Sequence, residues 1–149
     1  MTSRFGTRES PAAGAGTWHP AVDLPNWLNP CGRPVYAMVP GEVTLSSALF
    51  LSIKTPEGFT VSYLHMYKSD RIVDVGDQIA ASQQIGAMGN VAPSSGCHLD
   101  IRVNVAGNTN PEVAKLRVYD AAGGGCVNPI EVFPLFGIEI CPADNCSHV

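Results

Sequence analysis

From residue 35 onward the chain is a succession of short apolar runs separated by turn signals, the pattern of strands and hairpins. Val35-Tyr36-Ala37-Met38-Val39 stops at Pro40-Gly41. Residues 42–45 and 48–54 read as paired strands around Ser46-Ser47, and Thr55-Pro56-Glu57-Gly58 reads as a hairpin turn. Residues 59–64 alternate and are rich in β-branched and aromatic side chains. Further short strands are expected at 72–75, 78–80 and 84–88, separated by Gly76-Asp77 and closed by Gly89-Asn90, with another at 98–105. Only 111–119 has a helical look, and the glycines up to 125 end it. Residues 1–34 are dense in Gly, Pro, Ser and Asn and predict a long loop-rich N-terminus; 127–149 alternate proline breaks with apolar pieces and end in a cysteine-bearing tail. No internal repeat appears, and no linker is long enough to separate a second domain. The expectation is a mainly β, antiparallel, sandwich-like single domain over 1–135 with a tail over 136–149.

Composition narrows this further. A hydrophobic fraction of 45% suffices for a buried core, and 15 Gly with 12 Pro suit short strands and turns better than a helical bundle. Charged residues make up only 15%, the net charge is −4, and no Lys/Arg block occurs, so nucleic acid is not an expected partner. No stretch approaches the ~18 apolar residues of a membrane span. The first ten residues lack the basic-then-apolar order of a signal peptide, so either a leader is absent from this sequence or a route other than general secretion, such as a phage particle, delivers the protein. Five cysteines lean toward an oxidising compartment, and the odd count leaves one unpaired or intermolecular. Cys141 and Cys146 are placed to close a small loop; Cys31, Cys97 and Cys126 remain for one further bridge, with the pairing open.

Four histidines are available: His19, His65, His98 and His148. His19 precedes Asp23 by four residues, and Pro20 and Pro25 keep that segment extended or looped rather than helical. His98 and Asp100 are one residue apart on an expected strand, so both side chains share a face. His65 closes the 59–64 strand. Singly, each has a bland structural explanation. Together they offer three imidazoles and two carboxylates, the donor types of a mononuclear zinc hydrolase. The Cys141, Cys146 and His148 cluster is better explained as a disulfide at a chain end than as a second metal site.

The framing of these residues resembles the lysostaphin/LytM-type zinc metalloendopeptidases. Ser3-Arg4-Phe5-Gly6-Thr7-Arg8 resembles their S-x-F-G-x-R opening, and His19-Pro20-Ala21-Val22-Asp23-Leu24 their H-x-G-x-D-L motif. Gly32-Arg33-Pro34-Val35-Tyr36-Ala37 with Gly41-Glu42-Val43 resembles G-x-P-V-x-A…G-x-V, and Tyr63-Leu64-His65-Met66 resembles Y-x-H-L. Val75-Gly76-Asp77-Gln78-Ile79, then Gln84-Ile85-Gly86 and Gly89, follow V-x-x-G-D-x-V…Q-x-I-G-x-x-G. Ser94-Ser95-Gly96-Cys97-His98-Leu99-Asp100 falls on S-T-G-x-H-L-H, and Val127-Asn128-Pro129 on V-D-P.

The resemblance implies a β peptidase whose substrate is bacterial peptidoglycan, in its stem peptide or cross-bridge. It implies one Zn2+ held by His19, Asp23 and Asp100, with His65 and His98 as the proton-handling pair. It places the protein outside the cell, at the wall or on a virion, with protein partners possible in a larger assembly. Aromatic residues Trp18, Tyr63 and Tyr67 would either line the substrate groove or pack. Two departures stand out: Asp100 replaces the third ligand histidine, making the donor set more anionic, and Ala21 replaces a glycine. Cys97, beside His98, is read as buried or disulfide-bonded rather than as a ligand. The departures imply an alternative, a catalytically degenerate member serving as a structural or wall-binding module.

Overall fold

A computed structural model describes residues 3–24, 30–120 and 124–140. The strands are β1 (Gly6–Thr7), β2 (Trp18–His19), β3 (Ala21–Leu24), β4 (Pro34–Tyr36), β5 (Gly41–Ser46), β6 (Phe50–Lys54), β7 (Thr60–Leu64), β8 (Gln78–Ile79), β9 (Gln84–Ala87), β10 (Leu99–Asn104) and β11 (Cys126–Val127). One short helix, α1 (Pro129–Val132), follows. All strand pairings are antiparallel. The fold is mainly β.

The main sheet runs β11-β10-β7-β6-β5-β8, with β3 also paired to β10. β10 is therefore its organising strand. β7 lies along one edge; along the other, β3 covers the first half and β11 the second. Alternation on these strands sorts the side chains. Leu99, Ile101 and Val103 of β10 join Val22, Val61, Tyr63, Leu51 and Ile53 in the core. Asp100 and Arg102 take the opposite face. The same core takes Val35 from β4 and Ile85 from β9, which form a separate two-stranded sheet, and Val132 and Phe133 from the C-terminal segment.

Several local expectations meet their physical reason here. The 55–58 turn closes the β6–β7 hairpin, with the Thr55 and Phe59 backbones hydrogen-bonded. Residues 72–75, expected as a strand, are not one. Asp77 accepts the Asp74 N–H and turns the chain, leaving Ile72 and Val75 exposed while Val73 alone is buried. The helical look of 111–119 reduces to a single 3-10 turn, Val113–Lys115, in which only Val113 is buried, with Leu116 partly buried against the core just after it. Near the C-terminus, Asn128 accepts from the Ile130 N–H and Pro129 occupies the first turn, starting a helix that the apolar pattern did not suggest. The N-terminus is loop-rich but contains β1, β2 and β3, which are too short to show periodicity and are held by distant partners. Ile138 and Ile140 lean on the core. Residues 141–149, with Cys141, Cys146 and His148, lie outside the described residues.

The core role of β10 makes a quantitative expectation. Ile101→Ala, at a fully buried position, should cost ~2–5 kcal/mol in urea unfolding. Ile72→Ala, 64% exposed, should stay within about 0.5 kcal/mol. Equal losses would contradict this assignment of faces.

Candidate metal centre and cleft

The strand register assembles the site. Asp23 of β3 lies directly opposite Asp100 of β10, and Asp100 also lies opposite Leu64 of β7, one residue before His65. His98 stands immediately before β10, and β2 brings in His19. Residues from three stretches far apart in sequence, 19–23, 65 and 98–100, thus converge on one face of the sheet. His19 Nε2 is 3.3 Å from both Asp23 Oδ1 and Asp100 Oδ2. His98 Nε2 lies 3.5 Å from Asp23 Oδ1, and His65 Nε2 lies 3.9 Å from Asp100 Oδ2. The His65 and His98 rings are 4.5 Å apart.

Each imidazole is oriented from behind. Backbone carbonyls accept from Nδ1: Arg4 for His19 at 3.0 Å, Val91 for His65 at 2.6 Å, and Gly96 for His98 at 2.8 Å. A carbonyl only accepts, so each Nδ1 carries a proton and each Nε2 is turned inward. His65 reaches this position with φ +71, a left-handed conformation uncommon outside glycine. Gly89 makes room for it, since a Cβ there would stand 2.7 Å from the His65 carbonyl oxygen. A disulfide joins Cys97 to Cys31, tying down the loop before His98; closing a 66-residue separation is worth roughly 4 kcal/mol on loop entropy. This settles the pairing among the three cysteines: Cys97 is in the bridge and Cys126 is buried on β11.

The carboxylates are held as deliberately. Arg8 Nη1 donates to Asp23 Oδ2 at 3.1 Å and to Ser3 Oγ at 2.9 Å. Arg102 forks onto Asp100, Nε to Oδ1 at 3.0 Å and Nη2 to Oδ2 at 3.1 Å. Arg8 and Ser3 were visible only as members of a motif, and the role of Arg102 was missed. Its signal was present, since Asp100 and Arg102 are i and i+2 on a strand. Ala21 is buried within β3 opposite Arg102, so its methyl is accommodated in a regular strand.

His19, Asp23 and Asp100 each offer a ligand atom, all within 4.8 Å of one another, and all three residues are buried. Asp23 Oδ1 is buried without a hydrogen-bond partner, an expensive arrangement for a carboxylate unless a cation faces it. These donors fit a divalent metal ion. Without one, burial works to lower the His19 pKa, but Asp100 and Asp23 prevail and raise it to about 9. Asp100, which burial would raise, is held near about 2 by His19 and Arg102. Burial lowers His65, against the pull of the Val91 carbonyl, so its imidazole is neutral at neutral pH.

The cluster lies at the foot of a cleft of about 620 Å³, walled by the 9–18 segment on one side and Pro93 to Cys97 on another. Trp18 lines it while packing edge-on to Phe5 at 4.9 Å. Tyr63 does not line it: the ring is fully buried and its hydroxyl accepts from the Met38 N–H. Tyr67 is exposed and outside the cleft.

Fold and site together define a small antiparallel β domain carrying two carboxylates and three inward-facing imidazoles under an open cleft. The chain belongs to peptidase family M23, whose family model matches residues 18–111. Among solved structures it is similar to the catalytic domain of the prophage-encoded M23 protein EnpA from Enterococcus faecalis, solved as a point mutant, 27% identical over 86% of each chain, TM-score 0.60. It is also similar to a zinc-containing peptidase from Vibrio cholerae, 27% identical over 68% of this chain and 32% of that one, TM-score 0.56. The catalytic domain of lysostaphin from Staphylococcus simulans shares the fold at 24% identity, TM-score 0.58, over 68% of this chain and 77% of that one. No curated protein sequence matches the chain. Among the described residues, no helix is long and apolar enough to cross a membrane.

The raised His19 pKa has a measurable consequence. An imidazole that goes from 6.5 unfolded to about 9 folded stabilises the metal-free protein fully below pH 6.5 and loses that stabilisation as pH rises through 9. The metal-free wild type should lose on the order of 3 kcal/mol between pH 6 and pH 9.5 in urea unfolding, whereas His19→Gln should be nearly flat. Parallel curves would show that the carboxylates do not hold the His19 proton.

Proposed function

We propose that the protein is a zinc-dependent endopeptidase that hydrolyses peptide bonds in bacterial peptidoglycan, in the stem peptide or cross-bridge. The observation that carries this reading is the convergence of His19 Nε2, Asp23 Oδ1 and Asp100 Oδ2, with the Asp23 oxygen buried and making no well-formed hydrogen bond. These three residues would hold the ion, which when bound polarises the scissile carbonyl and lowers the pKa of water. The cleft volume suits a few residues of extended peptide. His65 and His98 are the proton-handling residues. Each turns an Nε2 lone pair to the cleft, and neutral His65 is ready to take the proton of the attacking water. Once protonated, either imidazole stabilises the oxyanion of the tetrahedral intermediate and returns its proton to the departing amine. The peptidase unit is assigned to residues 1–135 with 136–149 as a tail, and the site of action to the cell wall or a virion.

A second reading, a degenerate structural or wall-binding module, draws on one observation: Asp100 stands where the family resemblance expects histidine and is already engaged by Arg102. A single experiment separates the two readings. Purified wild type should contain near-stoichiometric zinc and release soluble fragments from cell walls, with a chelator abolishing release and added zinc restoring it. His65→Ala and His98→Ala should each keep the metal but lose about 10²–10⁴-fold in rate. Zinc-free, inactive wild type that still binds walls would establish the module instead.

A further inference from the structure

The exchange of a ligand histidine for Asp100 raises a mechanical problem. An imidazole on this site is steered by a carbonyl behind its Nδ1, as at His19. A carboxylate has no such handle; it turns about its own bond and has no intrinsic reason to aim one particular oxygen at the site. The structure supplies a handle from two residues along the same strand. The Arg102 fork occupies one lone-pair position on each oxygen of Asp100, at 3.0 and 3.1 Å. A carboxylate offers about four such positions, so one on Oδ2 stays available, and Oδ2 is the atom 3.3 Å from His19 Nε2. Arg102 is itself braced, its guanidinium lying 5.5 Å from the centre of the Phe50 ring. It also returns the charge that the exchange removed. Asp23 and Asp100 contribute two negative charges, and Arg102 brings the set back to the single negative charge of a one-carboxylate, two-imidazole site.

Resting on the assignment of His19, Asp23 and Asp100 as the metal triad, we infer that Arg102 is a positioning residue that orients Asp100 and so allows an aspartate to serve as the third ligand. Arg102 and Asp100 form a functional pair in which one residue has meaning only with the other.

The test is a cycle of zinc dissociation constants, measured on the full chain by competition with a chromogenic zinc chelator. The variants are wild type, Arg102→Gln, Arg102→Lys, Asp100→His and the Asp100→His/Arg102→Gln double variant. Circular dichroism would confirm that each metal-free protein is folded. Removing a positive charge beside the site should by itself favour cation binding, so a loss of affinity in Arg102→Gln reports orientation and not electrostatics. That loss is expected to be about 10–100-fold, the usual scale for residues that orient metal ligands. Arg102→Lys, which keeps the charge without the fork, should also lose affinity. In the Asp100→His background, Arg102→Gln should leave zinc binding unchanged or tighter. Unchanged or tighter binding of Arg102→Gln in the wild-type background would overturn the proposal while leaving the metal triad intact. Equal weakening in both backgrounds would overturn it as well, by showing that Arg102 serves the fold. Zinc binding by Asp100→His but not by wild type would overturn it too, by showing that the Arg102–Asp100 pair closes the site. Absence of zinc from both would remove the triad, and the proposal with it.

Discussion

Two carboxylates occupy facing positions on adjacent antiparallel strands, and much of the surrounding structure follows from having to keep them there. Asp23 and Asp100 are register partners, both buried. Like charges directly opposite on a sheet repel, and burial removes the water that would screen them. The molecule answers with cations from three directions. Arg8 takes the outer oxygen of Asp23, Arg102 forks onto Asp100, and His19 stands between the inner oxygens, protonated when no metal is there. The N-terminal strands β1 and β2 contribute no residue to the apolar core, yet with the residue that follows β1 they supply two of these three counter-charges. Their presence is explained by electrostatics more than by packing.

A second constraint is orientation. Three imidazoles must aim Nε2 at one point, and each is fixed by a backbone carbonyl behind Nδ1. Carbonyls of loops are only as well placed as the loops themselves. The Cys31–Cys97 bridge, the close approach of Gly89 beneath His65 and the left-handed backbone of His65 are what hold those loops. The left-handed His65 and the covalent tie at Cys97 thus both lie at the site.

Membership of the M23 family accounts for the ordered motifs, and the geometry shows what several of them do. The Ser3 and Arg8 positions of the opening motif anchor Asp23, with the Ser3 hydroxyl also 3.3 Å from His19 Nδ1. The last glycine of the Gly86…Gly89 motif leaves space for His65. The departure at Asp100 is matched by Arg102 on the same strand face, so the anionic excess expected from the donor set alone is offset within two residues.

The fold class, the β5–β6–β7 hairpins and the five donor residues are legible in the order of amino acids. All of these rest on local alternation, turn chemistry or ordered motifs. Strands β1, β2 and β3 escape such reading because two to four residues carry no readable period, and their hydrogen bonds go to partners decided only on folding. The strand expected at 72–75 fails because a single aspartate side chain, Asp77, captures the Asp74 N–H and turns the chain. It takes the folded chain to establish that Asp23 faces Asp100, that Cys97 pairs with Cys31, and that Arg8 and Arg102 are spent on carboxylates. A charge's partner is set by distance in space, and residues as far apart as 23 and 100 acquire a distance only when β3 and β10 come into register.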